Sequence, residues 1–556
     1  MPATPEGPRR GRAAGAEPAA STIPPVTVPT EAVGGDPAAA APAVTPDTGL
    51  VRRLLGGTGW QALAQMLPLV FNLALTPFII HGLGVGIYGI FLLVVVIQQF
   101  VGSVDGGVGP SARRYFGMYA GRGDRAATTS LLVTLLVIVS GAATVLCGAL
   151  FAAAPAVMAF FPGSAEDPDG SVFLLRVMII IVGVAQVRGL FTQVLLTNNQ
   201  FRLTALGDLL GFFAYAAMMI WTVNNGLGLF GVGLAFIAQQ AMPTLVVLPA
   251  ALRWLDRKAV RFVPRSLLGE FFRFAWKLQV SGVLTMVAAQ GDAIFVGRFA
   301  APQMTAFGTG ASFAGTLRQI PMNAYAPMET SIVRALGASG PEGAAPEVAR
   351  IQRLWVRFVA GWIAVGVPAA GFGVTAWLHL GTDLPGQVAA AVLLAHGVTL
   401  LMLVQRFWLN GLGRSGLTLS HDVLSTVVNL GLTLPLILTF GVLGTIAATL
   451  AAAVVAAVYL TWLAAHRTTH HLPTAWSEIP WLSVVGASAL ATALSWATAR
   501  FLVGTVIPFG ALSLLAIGAA AAPALLLYLG HTIGWRRVRG FAARFLSRGR
   551  RAEASS

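Results

Sequence analysis

Two arginines stand where arginine is costly. Arg188 lies inside an apolar run near Gln186, Thr192 and Gln193, and Arg318 lies midway along another, flanked by Thr316 and Gln319. A guanidinium at the centre of a spanning helix costs roughly 2.5–3.5 kcal/mol even on lenient insertion scales, so each needs a partner or a watery cavity. The planar fork stays charged and matches the geometry of phosphate oxygens. Two such groups facing each other across a cleft would therefore hold an anionic headgroup. A second reading stays open, in which each arginine pairs with a buried acid or with carbonyl oxygens inside its own bundle. Arg406 and Lys277 are further cationic binding candidates, but they sit nearer the ends of their runs, where snorkelling of a long side chain also accounts for them.

Five acids enter or border the apolar runs: Asp105, Asp208, Asp292, Asp422 and Glu329. Coupling to protons or sodium needs a carboxylate that takes up a cation in one state and releases it in the other, and these are the candidates. Asp208 and Asp422 also stand near helix starts, where a carboxylate meets the positive end of the helix dipole. Enzyme chemistry finds no comparable support. There is no G-x-x-x-x-G-K-S/T loop and no H-E-x-x-H, His470 and His471 lack ligand spacing, and Cys147 is the only cysteine. The expectation is a non-enzyme without cofactor or metal, driven by ion gradients, membrane potential or downstream use of its product.

The elements that carry these residues are membrane helices. The 556 residues are 56% hydrophobic and 10% charged, with a mean hydropathy of +0.76. Runs of about twenty apolar residues, enough to cross a hydrocarbon core of roughly 30 Å, recur from residue 58 onward. Fourteen are expected, near 58–80, 87–108, 129–153, 172–197, 204–223, 228–250 and 274–297, then 304–328, 355–377, 387–409, 418–438, 442–464, 480–500 and 506–530. Residues 1–50, rich in Pro, Ala, Gly and Thr, lack the large apolar side chains of a core and are expected to form a disordered tail. After the last span, Trp535, Val538, Phe541 and Phe545 recur among Arg536, Arg537, Arg539, Arg544 and Arg548. That spacing suits an amphipathic helix on an anionic phospholipid surface over residues 532–556.

The net charge of +15 is confined to alternate loops, which argues against a nucleic-acid partner and for a topology signal. Loops leading from odd to even spans are poor in bases. The others carry Arg113, Arg114, Arg122 and Arg125, then Arg253 to Arg273, then Arg334 to Arg357, and both termini fall on this basic side. The positive-inside rule places that side, with both termini, in the cytoplasm of a bacterial inner membrane. The chain also repeats itself. Leu203-Thr204 aligns with Leu417-Thr418, and Asp208 with Asp422 at the same offset and without a gap. Trp60 aligns with Trp276, and Tyr88-Gly89 with Phe307-Gly308, at offsets only slightly larger. The expected organisation is a first lobe of spans one to six (51–255), a second of spans seven to twelve (256–466) and an added pair (467–531).

The stretch from Pro77 through Leu83-Gly84 and Tyr88-Gly89 to Phe91 resembles the first loop of the polysaccharide-transporter branch of the multidrug/oligosaccharidyl-lipid/polysaccharide exporters, usually written P-x-L-G-x-x-x-Y-G. Asp292 to Phe299, with Gly297 and Arg298, is similar to that family's D-x-x-x-x-G-R-F segment. The resemblance implies an all-α, two-lobed, MATE-like bundle. O-antigen flippases of this family move an undecaprenyl-pyrophosphate-linked oligosaccharide from the inner to the outer leaflet by alternating access, with a polysaccharide polymerase as a further partner. Three rivals remain at this level. A multidrug antiporter of the same architecture would favour acids over arginines in its cleft. A membrane-embedded polymerase or glycosyltransferase of the same pathway would present a large outer loop, whereas no outer loop here exceeds about twenty residues. A non-transporting scaffold would leave the two buried arginines unexplained.

Overall fold

A computed structural model describes residues 48–103, 108–256, 258–468 and 471–534. Most of residues 1–50, and the basic stretch from Trp535 onward, lie outside the described residues. The described chain is helical throughout, without a named strand; a single isolated bridge joins Val503 and Ile507.

Sixteen helices carry the architecture among the described residues: α1 (Thr48–Leu83), α2 (Val85–Ser103), α3 (Val108–Gly121), α4 (Arg125–Ala159), α5 (Pro168–Thr197), α6 (Phe201–Asn224), α7 (Gly228–Leu252), α8 (Arg265–Phe299), α9 (Met304–Met322), α10 (Tyr325–Leu378), α11 (Leu384–Leu401), α12 (Leu403–Gly411), α13 (Ser415–Phe440), α14 (Val442–Arg467), α15 (Trp481–Ala497) and α16 (Ala511–Leu529). Twelve stretches are long and apolar enough to cross a membrane; one of them, Ala301–Leu378, covers the eighth and ninth expected spans together. The seventh, α8, is not among the twelve. It is a helix of 35 residues, and the side chains at 274, 277, 278 and 281 within it lie outside the described residues. Among the described residues the count of fourteen is therefore not reached.

Three expected boundaries move. The basic loop with Arg113 and Arg114 is itself helical, as α3. The tenth span breaks at Met402 into α11 and α12. α10 runs far beyond the ninth span and is interrupted at Gly340, at φ 67° and ψ 178°. Only glycine holds that conformation at little cost, and the following Pro341 disfavours helical geometry in the residue before it.

The internal repeat reappears in the helix boundaries. α2 and α9 have the same length, and the offset between their first residues is that of Tyr88 and Phe307. The starts of α6 and α13, and those of α7 and α14, are related by the offset of Asp208 and Asp422. Close approach within a lobe depends on small residues. A Cβ added at Gly211 would lie 2.5 Å from the Gln239 carbonyl oxygen, and one at Gly207 3.2 Å from the Pro243 Cα, so these two glycines let α6 lie directly on α7.

The two ends of the bundle differ. At the base-poor end one apolar cluster joins both lobes: Ile80, Met158 and Met219 share it with Val374, Trp377 and Leu393, and the Trp377 indole donates to the Leu73 carbonyl. At the basic end the lobes keep separate clusters. One centres on Phe116, Leu131 and Val194 and takes in Phe271 at the start of α8; the other centres on Val404, Phe407 and Trp408. The lobes are thus fused by a broad apolar core at one end, and at the other they meet through the start of α8.

Candidate functional site

α5 starts where the acidic stretch Glu166–Asp169 ends. Asp167 caps it by accepting from the Gly170 N–H at 2.9 Å, and Pro168 occupies the first helical position, where its missing N–H costs nothing. Arg188 lies in the half of this helix toward the basic loops. Its contacts stay within the first lobe. One terminal nitrogen lies 3.8 Å from Asp208 Oδ1 on α6, the other donates to Gln240 Oε1 on α7 at 3.4 Å, and Nε is buried without a partner. The Arg188 side chain is 19% exposed and that of Asp208 61%, so the neutralisation is loose and one-sided.

The second lobe builds the same kind of pair more tightly. Arg406 on α12 donates to Asp422 Oδ2 on α13 at 2.7 Å, and His421 Nδ1 lies 3.0 Å from Asp422 Oδ1. Arg406 is therefore ion-paired as well as placed for snorkelling. Asp208 and Asp422 do more than face a helix dipole, since each holds an arginine from the preceding span. α5 and α12 end at corresponding places in the repeat, and Arg406 sits one turn from the place corresponding to Arg188. The repeat partner of Arg188 is thus Arg406.

Arg318 has no such acid. α9 ends at Met322, earlier than the expected residue 328, so Arg318 stands near the helix end and not midway. α9 packs on α11, where Gly310 meets the Pro385 carbonyl and Val388. The charged and titratable neighbours Arg318 feels are Arg406 and His396. Its Nε is buried without a hydrogen-bond partner, and it makes no ion pair among the described residues. At the offset that relates α2 to α9 its first-lobe counterpart is Gln99, which accepts from Gln290 Nε2 of α8 at 2.9 Å. Arg188 and Arg318 make no hydrogen bond with each other, and each lies among residues of its own lobe.

Asp292, on α8, gathers three neutral donors. The Thr449 hydroxyl and the Asn429 amide donate to Oδ2, the latter at 3.3 Å, and the Thr433 hydroxyl donates to Oδ1 at 3.1 Å. A carboxylate surrounded by neutral oxygens and an amide, with no cation within ion-pair distance among the described residues, is chemically suited to a proton or a small monovalent cation. Asn429, Thr433 and Thr449 were not singled out from sequence. At the offset that relates α6 to α13 they answer to Tyr215, Met219 and Ala235, of which Met219 and Ala235 are fully buried in the first lobe's core. Three polar residues, two of them replacing apolar core positions, were the available signal.

Of the other candidates, Glu329 lies in the first turns of α10, half-buried and without an ion pair among the described residues. Asp105 lies outside the described residues, as does the side chain of Lys277, whose backbone belongs to α8.

Comparison with known proteins gives one family and a common fold. Residues 55–333 match the family described as polysaccharide biosynthesis protein. No curated protein sequence matches the chain. Among solved structures, the lipid II flippase MurJ in an inward closed conformation is similar with a TM-score of 0.61 at 13% identity, over 87% of this chain and 99% of that one. A multidrug resistance MATE family transporter of the MOP superfamily, inward-facing, is similar with a TM-score of 0.55 at 16% identity, over 74% of this chain and 100% of that one. At such identities the likeness concerns the fold, which is that of a multi-pass, two-lobed membrane bundle. The family match extends over half of the chain and includes both motif stretches, so the protein belongs to the polysaccharide biosynthesis protein family.

Proposed function

We propose that the protein is a flippase which carries a polyprenyl-pyrophosphate-linked oligosaccharide from the inner to the outer leaflet of the bacterial cytoplasmic membrane. The observation that carries this reading is Arg318, a guanidinium with a buried, unpartnered Nε, no ion pair among the described residues, and the charge of Arg406 acting on it. Two guanidiniums with one carboxylate, held by Arg406, leave a positive surplus in a low-dielectric site, and a pyrophosphate has the charge and the oxygen geometry to complete it. The family match supports the glycan, and the shared fold supports alternating access.

The positive-inside rule turns the basic end, where the lobes keep separate cores, toward the cytoplasm. A headgroup from the inner leaflet enters there and meets Arg318, while the polyprenyl chain stays in lipid. Rocking of the lobes then opens the base-poor end. Arg188, already held by Asp208 and Gln240, contributes less than Arg318. Asp292 with Asn429, Thr433 and Thr449 is the coupling site, loaded by a proton or sodium in one state and emptied in the other. The protein performs no covalent chemistry in this scheme; a polymerase uses its product, and the basic C-terminal segment holds anionic phospholipid.

The test is translocation of lipid-linked oligosaccharide in proteoliposomes containing the full chain. The parent protein moves the substrate between leaflets and Arg318→Glu does not. A parent that leaves the substrate in its original leaflet removes the flippase reading, and an Arg318→Glu variant as active as the parent removes the headgroup contact. The multidrug antiporter of the same architecture would instead lower accumulation of cationic drugs in cells expressing the chain.

A further inference from the structure

The first lobe contains a cavity of about 340 Å3 that none of the residues discussed for charge or coupling, other than Gln99, lines. It lies between α2, α3, α4 and α5. Its polar lining consists of three side-chain amides, those of Gln98 and Gln99 on α2 and Gln186 on α5. Gln98 and Gln186 are half-buried and make no side-chain hydrogen bond among the described residues. Amides left without partners inside a helical bundle cost free energy, and a ligand or water must complete them. Two glycines keep the space open. Both Gly102 and Gly189 are in helical conformation, and a Cβ added at either would meet nothing within 4 Å.

We infer that this cavity is a subsite for a neutral sugar ring of the carried glycan, an inference that rests on the flippase reading and divides the substrate between the lobes. The lining selects the ligand class by what it has and what it lacks. Each glutamine offers two N–H donors and a carbonyl acceptor, which matches neighbouring hydroxyls that both donate and accept. Among the described lining residues there is no arginine or lysine for a phosphate, and no carboxylate or aromatic face for a cationic drug. Val139, Val182 and Leu190 supply the apolar wall for the C–H edges of a ring. The volume lies at the small end of the roughly 300–1,000 Å3 range of small-molecule sites, which suits one or two rings and not a whole oligosaccharide. Gln99 also bonds Gln290 of α8, two residues before Asp292, so occupancy of the cavity is felt at the contact between the lobes.

The experiment is equilibrium binding of radiolabelled glucose, N-acetylglucosamine and inorganic pyrophosphate to the full chain in nanodiscs. The double variant Gln98→Leu/Gln186→Leu removes the free amides. Gly189→Leu keeps them and fills the space, and it decides alone if the double variant does not fold. At least one of the two sugars is expected to bind the parent at millimolar concentration, and each variant to weaken that binding by about tenfold or more, with pyrophosphate binding unchanged. A parent that binds neither sugar, or a folded variant that binds it as the parent does, overturns the subsite. Translocation by the parent, measured in parallel, separates the two ideas: translocation with sugar binding indifferent to these variants leaves the flippase and removes the subsite. Amide-dependent sugar binding without translocation removes the flippase and leaves a sugar site.

Discussion

The two lobes carry the same device and use it differently. In each, an arginine from the fourth span of the repeat meets an aspartate from the fifth, at 3.8 Å between Arg188 and Asp208 and at 2.7 Å between Arg406 and Asp422. The second aspartate is also held by His421, buried to 4% exposure. At the repeat offset the first lobe has Gly207 in that place, where an added Cβ would already lie 3.2 Å from the Pro243 Cα. Ala457 stands at the position corresponding to Pro243 and brings no ring. A second difference lies one element away, where Gln99 answers to Arg318. Among the described residues the interior of the first lobe is therefore close to neutral and rich in amides, and the second keeps a guanidinium without an ion pair. A substrate with one anionic end and one neutral, hydroxyl-rich end would meet each lobe with the part that suits it.

Removing the surplus charge is the strongest way to break this comparison. Arg318→Gln gives the second lobe the residue type of the first, and translocation in proteoliposomes should fall by about ten- to a hundredfold, the range for losing a charge-assisted hydrogen bond to the substrate. Unchanged translocation would make the lobes functionally equivalent. Next in size, Asp292→Asn keeps the shape of the second-lobe quartet but cannot gain or lose a charge. Transport should drop by about tenfold and lose its response to ionophores that collapse proton and sodium gradients, read as the initial rate with and without ionophore.

The helix contact peculiar to the first lobe offers a measure of packing. Gly211→Val forces a side chain into the Gln239 carbonyl and Pro243 and should destabilise the protein by about 1–3 kcal/mol, seen as a lower midpoint of thermal unfolding in detergent. The smallest expected effects sharpen the contrast between the pairs. Asp422→Asn should cost about 1 kcal/mol, since its partner is at hydrogen-bond distance but both groups are partly exposed. Asp208→Asn should cost about 0.2–1 kcal/mol, because that carboxylate is largely exposed and only loosely held. Equal shifts for the two variants would contradict the difference in geometry.

Much of this was legible in the residues. Each apolar run became part of a helix, because about twenty apolar residues in a bilayer leave the backbone little alternative to internal hydrogen bonding. The constant offsets between related sequence segments returned as matched helix boundaries. The breaks at Met402 and Gly340 were not foreseen; at Gly340 the cause is local, a glycine before a proline inside a polar stretch. Arg188 and Arg318 were singled out as cations inside apolar runs, and Asp292 as an acid in or bordering one. Their partners were not legible. A spanning helix is apolar on nearly every side, so no stripe of polarity reveals which face turns inward.

The amino-acid sequence by itself determined a repeated multi-span membrane chain with basic and base-poor ends, because span length, loop charge and internal similarity are properties of the chain that need no knowledge of contacts. Only the tertiary structure decided which charges are neutralised. Asp208 and Asp422 each found an arginine, Asp292 found three neutral donors from α13 and α14, and Arg318 found no acid among the described residues. Such pairings depend on angstrom-scale approach between helices far apart in the chain. That approach is set by glycines, prolines and helix breaks acting together, as where Gly207 and Gly211 lie against Pro243.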